Sequence, residues 1–317
     1  MVICKHKFLK KKPRMSGFII VSESRIDLKY KRIQSKNYIQ GNLRQAYKIL
    51  LDGNKCIFHV RYLQKGTWLT VIFKYIIGLL VFRILGGRIV FTLHNIGSHN
   101  LDKRKGNIVR LFVSSLAHSI IVFDEGMCRY MWNIHKSKTI VSSFGYMSVE
   151  DLPIDESSKC LNDFKAWLEL DTKTPLALYS SSAKLHVDIE SMISQLSQYR
   201  IIIVGLSNLD IPTDHRLYIY NGQSYGITRY ILKNIPQRTI GVLGSCNISV
   251  PTSLYLYLSY SLPLKLVGIN PIMKLIVEKY KLSTDNTPEE RAMGVNLFFQ
   301  DNSWKRFVND HMTIFCL

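Results

Sequence analysis

The chain has 317 residues, of which 47% are apolar and 21% charged. That length suits two lobes of about 150 residues better than one core, and the composition excludes disorder as the main state. Its net charge of +19 favours an anionic partner. The six cysteines, at 4, 56, 128, 160, 246 and 316, include no C-x-x-C pair and no zinc spacing, which fits a reducing cytosol better than a disulfide framework.

Residues 1–15 read as a basic tail without the apolar run of a signal peptide. Gly17–Ser22 predicts a first strand, Asn42–Leu51 a helix that stops at Asp52-Gly53, and Lys55–Val60 a second strand. Trp68–Leu85 is the most apolar stretch. Lys74 and Arg83 interrupt it, so its uncharged run falls short of the ~20 residues a bilayer span needs, and it reads as a buried or interfacial helix. Strands follow at Arg88–Leu93, His118–Phe123 and Thr139–Ser142, with a helix over Val109–Leu116.

Met147–Ser158 is acidic and polar and marks a boundary, which sets a first lobe at 16–150, a linker at 151–170 and a second lobe at 171–317. In the second half, strands are predicted at Pro175–Tyr179, Arg200–Gly205, Leu217–Tyr220, Thr239–Leu243 and Leu262–Val267. Helices are predicted at Asp188–Gln198, Ile227–Lys233, Thr252–Ser261, Pro271–Tyr280 and, to close the lobe, Ser303–Met312. Strands that alternate with helices predict parallel β-α units, hence two doubly wound α/β lobes. Ligands of such sheets bind outside the strand carboxyl ends.

Five segments carry a resemblance in the same order along the chain. Val90-Phe-Thr-Leu-His-Asn-Ile-Gly-Ser-His99 resembles the T-x-H-N-x-x-x-H turn of GT-B glycosyltransferases that build bacterial surface polysaccharides. It is also similar to that of mannosyltransferases acting on lipid pyrophosphate-linked chitobiose. Ala117–Asp124 resembles the group's A-D-x-I-I-V-x-S strand, with His118 where Asp is usual. Ser142–Tyr146 resembles x-H-G-x-Y without its His, and Tyr179–Glu190 resembles the Ser/Thr-rich turn that opens the donor lobe. Val250–Leu264 resembles the donor signature S-x-x-x-x-x-x-L-x-x-G-x-P-V, with Ser261 in place of Gly. The resemblance implies a GT-B fold, two Rossmann-like lobes facing a central cleft. It also implies transfer of a sugar from a UDP- or GDP-type donor to a lipid-pyrophosphate-linked saccharide, as in O-antigen and lipopolysaccharide synthesis.

The chemistry of these segments agrees. A departing nucleoside diphosphate needs its charge neutralised by N–H groups, hydroxyls and a cation. Ser181, Ser182 and Lys184 offer these in one turn; Thr252 and Ser253 offer them at a helix start, where helix capping uses the same geometry. Glu278 is a further donor contact by resemblance, and its plain alternative is a solvated helix face. His94, at the end of a strand, is placed to act as a base toward an acceptor hydroxyl or to hydrogen-bond the sugar; Asp124 and Glu125, which also follow a strand, are the carboxylates placed for base duty, and Asn95 and His99 are acceptor contacts. No Asp-x-Asp, Walker or H-E-x-x-H motif occurs, so a metal-independent reaction without a cofactor is expected, and the resemblance implies that it is a hexosyl transfer.

Cationic residues spread along the chain and no nucleic-acid motif accompanies them, so nucleic acid is not the expected partner. Instead the cations and the apolar helix point to a cytoplasmic protein, peripheral on the inner face of the membrane. The alternative is a catalytically degenerate relative, a partner subunit in a polysaccharide assembly complex, suggested by the substituted Gly, His and Asp positions.

Overall fold

The computed structural model describes residues 17–23, 37–61, 63, 68–93, 103–129, 131, 133–143, 145, 158–180, 189–205, 214–220, 225–244, 252–268 and 271–316. Two units divide the chain. The first joins Met1–Gly145 to Asn302–Leu317; the second is Tyr146–Asp301.

The first unit holds strands β1 (Phe18–Ser22), β2 (Tyr38–Gln40), β3 (Lys55–Val60), β4 (Arg88–Thr92), β5 (Ser119–Val122) and β6 (Thr139–Val141). They form one parallel sheet in the order β2-β1-β3-β4-β5-β6. Runs such as Cys56-Ile-Phe-His-Val60 are buried along their whole length, as a sheet covered on both faces requires. Asn42 and Gln45 form a reciprocal capping box that starts the Leu43–Leu51 helix. Trp68–Val71, a π-helical Ile72–Gly78 and Leu79–Ile84 run on as a single helix. The Gly78 carbonyl inside it accepts from the Tyr47 hydroxyl, the kind of intrusion that disturbs a helix ladder. Gly86, at φ 90°, ends it in a left-handed turn closed by Gly86 N–H to Arg83 and Gly87 N–H to Phe82.

The C-terminal helix Trp304–Cys316 belongs to this first unit. Asp310 accepts the Ser143 N–H at 3.1 Å, and the Trp304 ring occupies the space a Cβ on Gly145 would need. Phe315 packs its ring on Tyr38 and His59.

The second unit holds β7 (Leu176–Ser180), β8 (Arg200–Val204), β9 (Leu217–Tyr220), β10 (Thr239–Gly244) and β11 (Leu264–Val267), a parallel sheet ordered β11-β10-β7-β8-β9. Its core includes Ala177, Tyr179, Met192, Ile201, Ile203 and Val242.

The boundaries differ from the expected ones. Ser158–Glu169, expected within the linker, is a helix of the second unit. Its Phe164 and Leu168 are buried, and Arg200 reaches from the sheet to the carbonyls of Trp167, Leu168 and Asp171, groups that a helix end leaves unsatisfied. The closing helix, expected in the second lobe, is in the first unit. Cations are not spread evenly either: the first unit carries 28 Lys and Arg against 7 Asp and Glu, and the second 14 against 16. Four further elements went unpredicted, namely β2 and the helices Glu125–Cys128, Asn133–Lys136 and Pro288–Asp301.

Candidate active site at the strand carboxyl ends

In the second unit the chain runs from β7 outward to β8 and β9, then returns to the other side of β7 with β10 and β11. Strand order therefore reverses between β7 and β10, and the crevice outside that point is where such sheets bind ligands. The structure builds its floor from side chains that sequence reasoning missed. Tyr257, fully buried on the Thr252–Leu258 helix, accepts the Ser180 N–H at 2.8 Å. Tyr179 donates its hydroxyl to the Gly244 carbonyl at 3.3 Å. These bonds fix the last residue of β7 to the helix after β10, and the end of β10 to β7. Gly241 makes the arrangement possible, since a Cβ there would run into the Tyr257 ring. Burial holds the Tyr257 phenol far above its ordinary pKa, so it stays protonated.

Ser181, Ser182 and Lys184 follow directly on Ser180 but lie outside the described residues. Thr252 opens the helix after β10, and half-buried Ser253 is its second residue. The two predicted donor segments thus leave from the two strands that flank the switch point. Ser261 closes this helix. Its N–H bonds the Leu258 carbonyl, the Leu262 N–H bonds Tyr257, and its φ is 53°. That is the left-handed position helices commonly give to glycine, the residue the resembled signature has there.

Glu278 is not brought to this place. It lies in the last turn of the Pro271–Lys279 helix, about 10 Å along the axis from its start, with 59% of its side chain exposed. It pairs with Lys274 at 3.8 Å, the solvated helix face weighed above.

In the first unit, His94, Asn95 and His99 lie outside the described residues. Thr92, which ends β4 two residues before His94, is fully buried. Its Oγ1 lies 2.7 Å from Nε2 of His59, whose Nδ1 is 2.8 Å from the Tyr38 hydroxyl. This buried chain ties the start of β2 to β3 and β4 near the carboxyl ends of those two strands, and no sequence motif marks it. Asp124 and Glu125 follow β5 as expected. Half-buried Asp124 caps the Glu125–Cys128 helix through a 2.6 Å bond from the Gly126 N–H, and Glu125 is exposed. Among the described residues, no three His, Cys, Asp or Glu side chains converge to hold a metal ion.

No family model and no curated protein matches this sequence. Solved structures do match in fold. The Anabaena protein HepE in complex with UDP-glucose is similar at a TM-score of 0.60 and 10% identity, over 93% of this chain and 98% of that one. The same protein with UDP gives 0.57 and 11%, over 94% and 98%. The UDP-GlcNAc 2-epimerase of Methanocaldococcus jannaschii gives 0.46 and 11%, over 93% and 98%. At such identities the likeness is one of fold. The chain is an α/β protein with two doubly wound parallel sheets, in the GT-B class.

Proposed function

We propose that the chain is a nucleotide-sugar-dependent glycosyltransferase of the metal-independent GT-B kind. One observation carries the reading. Ser181, Ser182 and Lys184 follow β7, and Thr252 and Ser253 follow β10, so both donor segments chosen on chemical grounds leave the strands that flank the switch point of the second sheet. A UDP- or GDP-type donor set there meets hydroxyls from both segments and the Lys184 charge, which offset the negative charge of the departing diphosphate. The fold likeness to HepE, solved with UDP and with UDP-glucose, supports a donor of this class.

In this reading the first unit takes the acceptor. His94, Asp124 and Glu125 follow adjacent parallel strands, β4 and β5, and supply the base for an acceptor hydroxyl, with Asn95 and His99 orienting the sugar. The acceptor is a lipid-pyrophosphate-linked saccharide of cell-surface polysaccharide synthesis, met at the inner face of the membrane. The substituted motif positions leave a non-catalytic partner subunit as the contrasting reading.

A thermal-shift screen against nucleotides and nucleotide sugars tests the proposal, with Ser253→Ala and Lys184→Ala beside the wild type. A specific upshift with a UDP- or GDP-type ligand, weakened in both variants, is expected. A flat response from folded protein would refute donor binding and favour the non-catalytic subunit.

A further inference from the structure

The helix spanning Trp68–Val71, Ile72–Gly78 and Leu79–Ile84 is apolar on two sides. Val71, Tyr75, Leu79 and Phe82 are buried against the first unit. On the opposite side Leu69, Phe73, Ile77 and Ile84 stand 67, 62, 43 and 73% exposed. The wider turns of the π-helical stretch offset the drift of an i, i+4 series, which keeps Leu69, Phe73 and Ile77 on one face. Lys103–Leu116 packs beside this helix and adds Ile108 and Phe112, 45 and 43% exposed.

The helix's own charges do not interrupt that face. Lys74 binds Glu23 at 2.6 Å, and Arg83 donates to the Leu116 carbonyl at 2.7 Å. A contiguous exposed apolar patch of this kind marks a protein or membrane contact. Charge selects between them. The unit that bears the patch carries 28 cationic against 7 anionic residues, a net +21, while the other unit is at −2. The helix packed alongside opens with Lys103-Arg104-Lys105. A second copy docked through the same face would bring two units of +21 together, whereas anionic lipid neutralises them. No helix among the described residues is long and apolar enough to cross a bilayer.

We propose that this face seats the first unit on an anionic lipid bilayer. The helix lies in the plane of the interface, Leu69, Phe73 and Ile84 enter the boundary between headgroups and acyl chains, and the surrounding cations pair with lipid phosphates. The assignment rests on the membrane placement proposed above and is independent of the transfer chemistry.

Co-sedimentation of the full chain with phosphatidylcholine vesicles, with and without phosphatidylglycerol, tests it. Wild type is expected to bind the phosphatidylglycerol vesicles and to release as salt rises. The triple variant Leu69→Ser, Phe73→Ser, Ile84→Ser is expected to bind about tenfold more weakly or worse. Leu170→Ser with Met293→Ser, at exposed apolar sites of the second unit, is expected to bind as wild type. Wild type that ignores anionic vesicles, a triple variant that binds undiminished, or a solution dimer that the triple variant dissociates would each overturn the proposal. The nucleotide thermal shift, run on the same proteins, keeps the two readings apart. Vesicle binding without a nucleotide response sinks the transferase and leaves this surface standing; the reverse pattern sinks the surface alone.

Discussion

Replacing Tyr257 with Phe removes one oxygen from the floor of the candidate donor site and leaves the ring. The ring is fully buried and packed against Gly241, so the core keeps its volume, and the lost term is the 2.8 Å bond from the Ser180 N–H. A backbone donor left without its acceptor costs about 1–3 kcal/mol, and because Ser180 is only half-buried the lower part of that range applies, about 1–2 kcal/mol. For a unit of this size each kcal/mol moves Tm by about 2–4 °C. Urea unfolding should therefore show a lower midpoint with an unchanged slope. Ser180 is the residue before the Ser181-Ser182 turn, so the nucleotide-sugar response should weaken as well. A variant within about 0.5 kcal/mol of wild type would show that the bond does not hold the end of β7, since that is the spread of neutral surface changes.

Ser261→Gly should stabilise the second unit by about 0.5–1 kcal/mol, read as a raised urea midpoint. Ser261 sits at φ 53° behind a helix, where a side chain costs about 1–2 kcal/mol and glycine gives back about half of that in unfolded-chain entropy. Gly294→Ala should cost about 3 kcal/mol or more, seen as loss of cooperative unfolding or of soluble protein, because its Cβ would collide with the Tyr280 carbonyl.

Stability should also fall as pH drops from about 7 to 5. His135 is held below its ordinary pKa by burial and then by the Lys138 cation, and His118 by desolvation and then by Arg83, Arg88 and Lys138. The unfolded chain takes up protons as pH falls through about 6.5, before the folded state does, so acid favours unfolding. His118→Gln with His135→Gln should flatten that slope. Asp171, held low by its Thr174 hydrogen bonds, and Asp214, held low by Arg216, act only at lower pH, below about 4.

The strands were legible wherever a run was buried on both faces. Arg200–Val204 reads as a strand because every one of its five residues is buried. Tyr38–Gln40 was not legible, as three residues with only Tyr38 buried give no periodicity. Pro288–Asp301 was missed although Thr287-Pro-Glu-Glu290 announces it. The Thr287 hydroxyl accepts the Glu290 N–H and the Glu290 carboxylate accepts the Thr287 N–H, a capping box with Pro at the first helical position. Of the candidate site, the polar segments that follow strands could be chosen from sequence, since their chemistry is local. The bond that positions them could not be. Tyr257 lies 77 residues from Ser180, in the run Tyr255-Leu-Tyr-Leu258, where an aromatic reads as core packing. His59 is likewise one apolar-run residue among six until the fold brings Tyr38 and Thr92 to its two nitrogens.

The return of Asn302–Leu317 to the first unit also sets an order of events during synthesis. Chains are made from the amino end and domains fold as units. The second unit is one uninterrupted segment, complete once Asp301 has left the ribosome. The first unit, begun earlier, must wait for Asn302–Leu317 before Phe315 can cover Tyr38 and His59 and Asp310 can take the Ser143 N–H. The part of the chain that is translated first is therefore finished last, and a nascent chain stopped short of Asn302 would hold a complete second unit and an open first sheet.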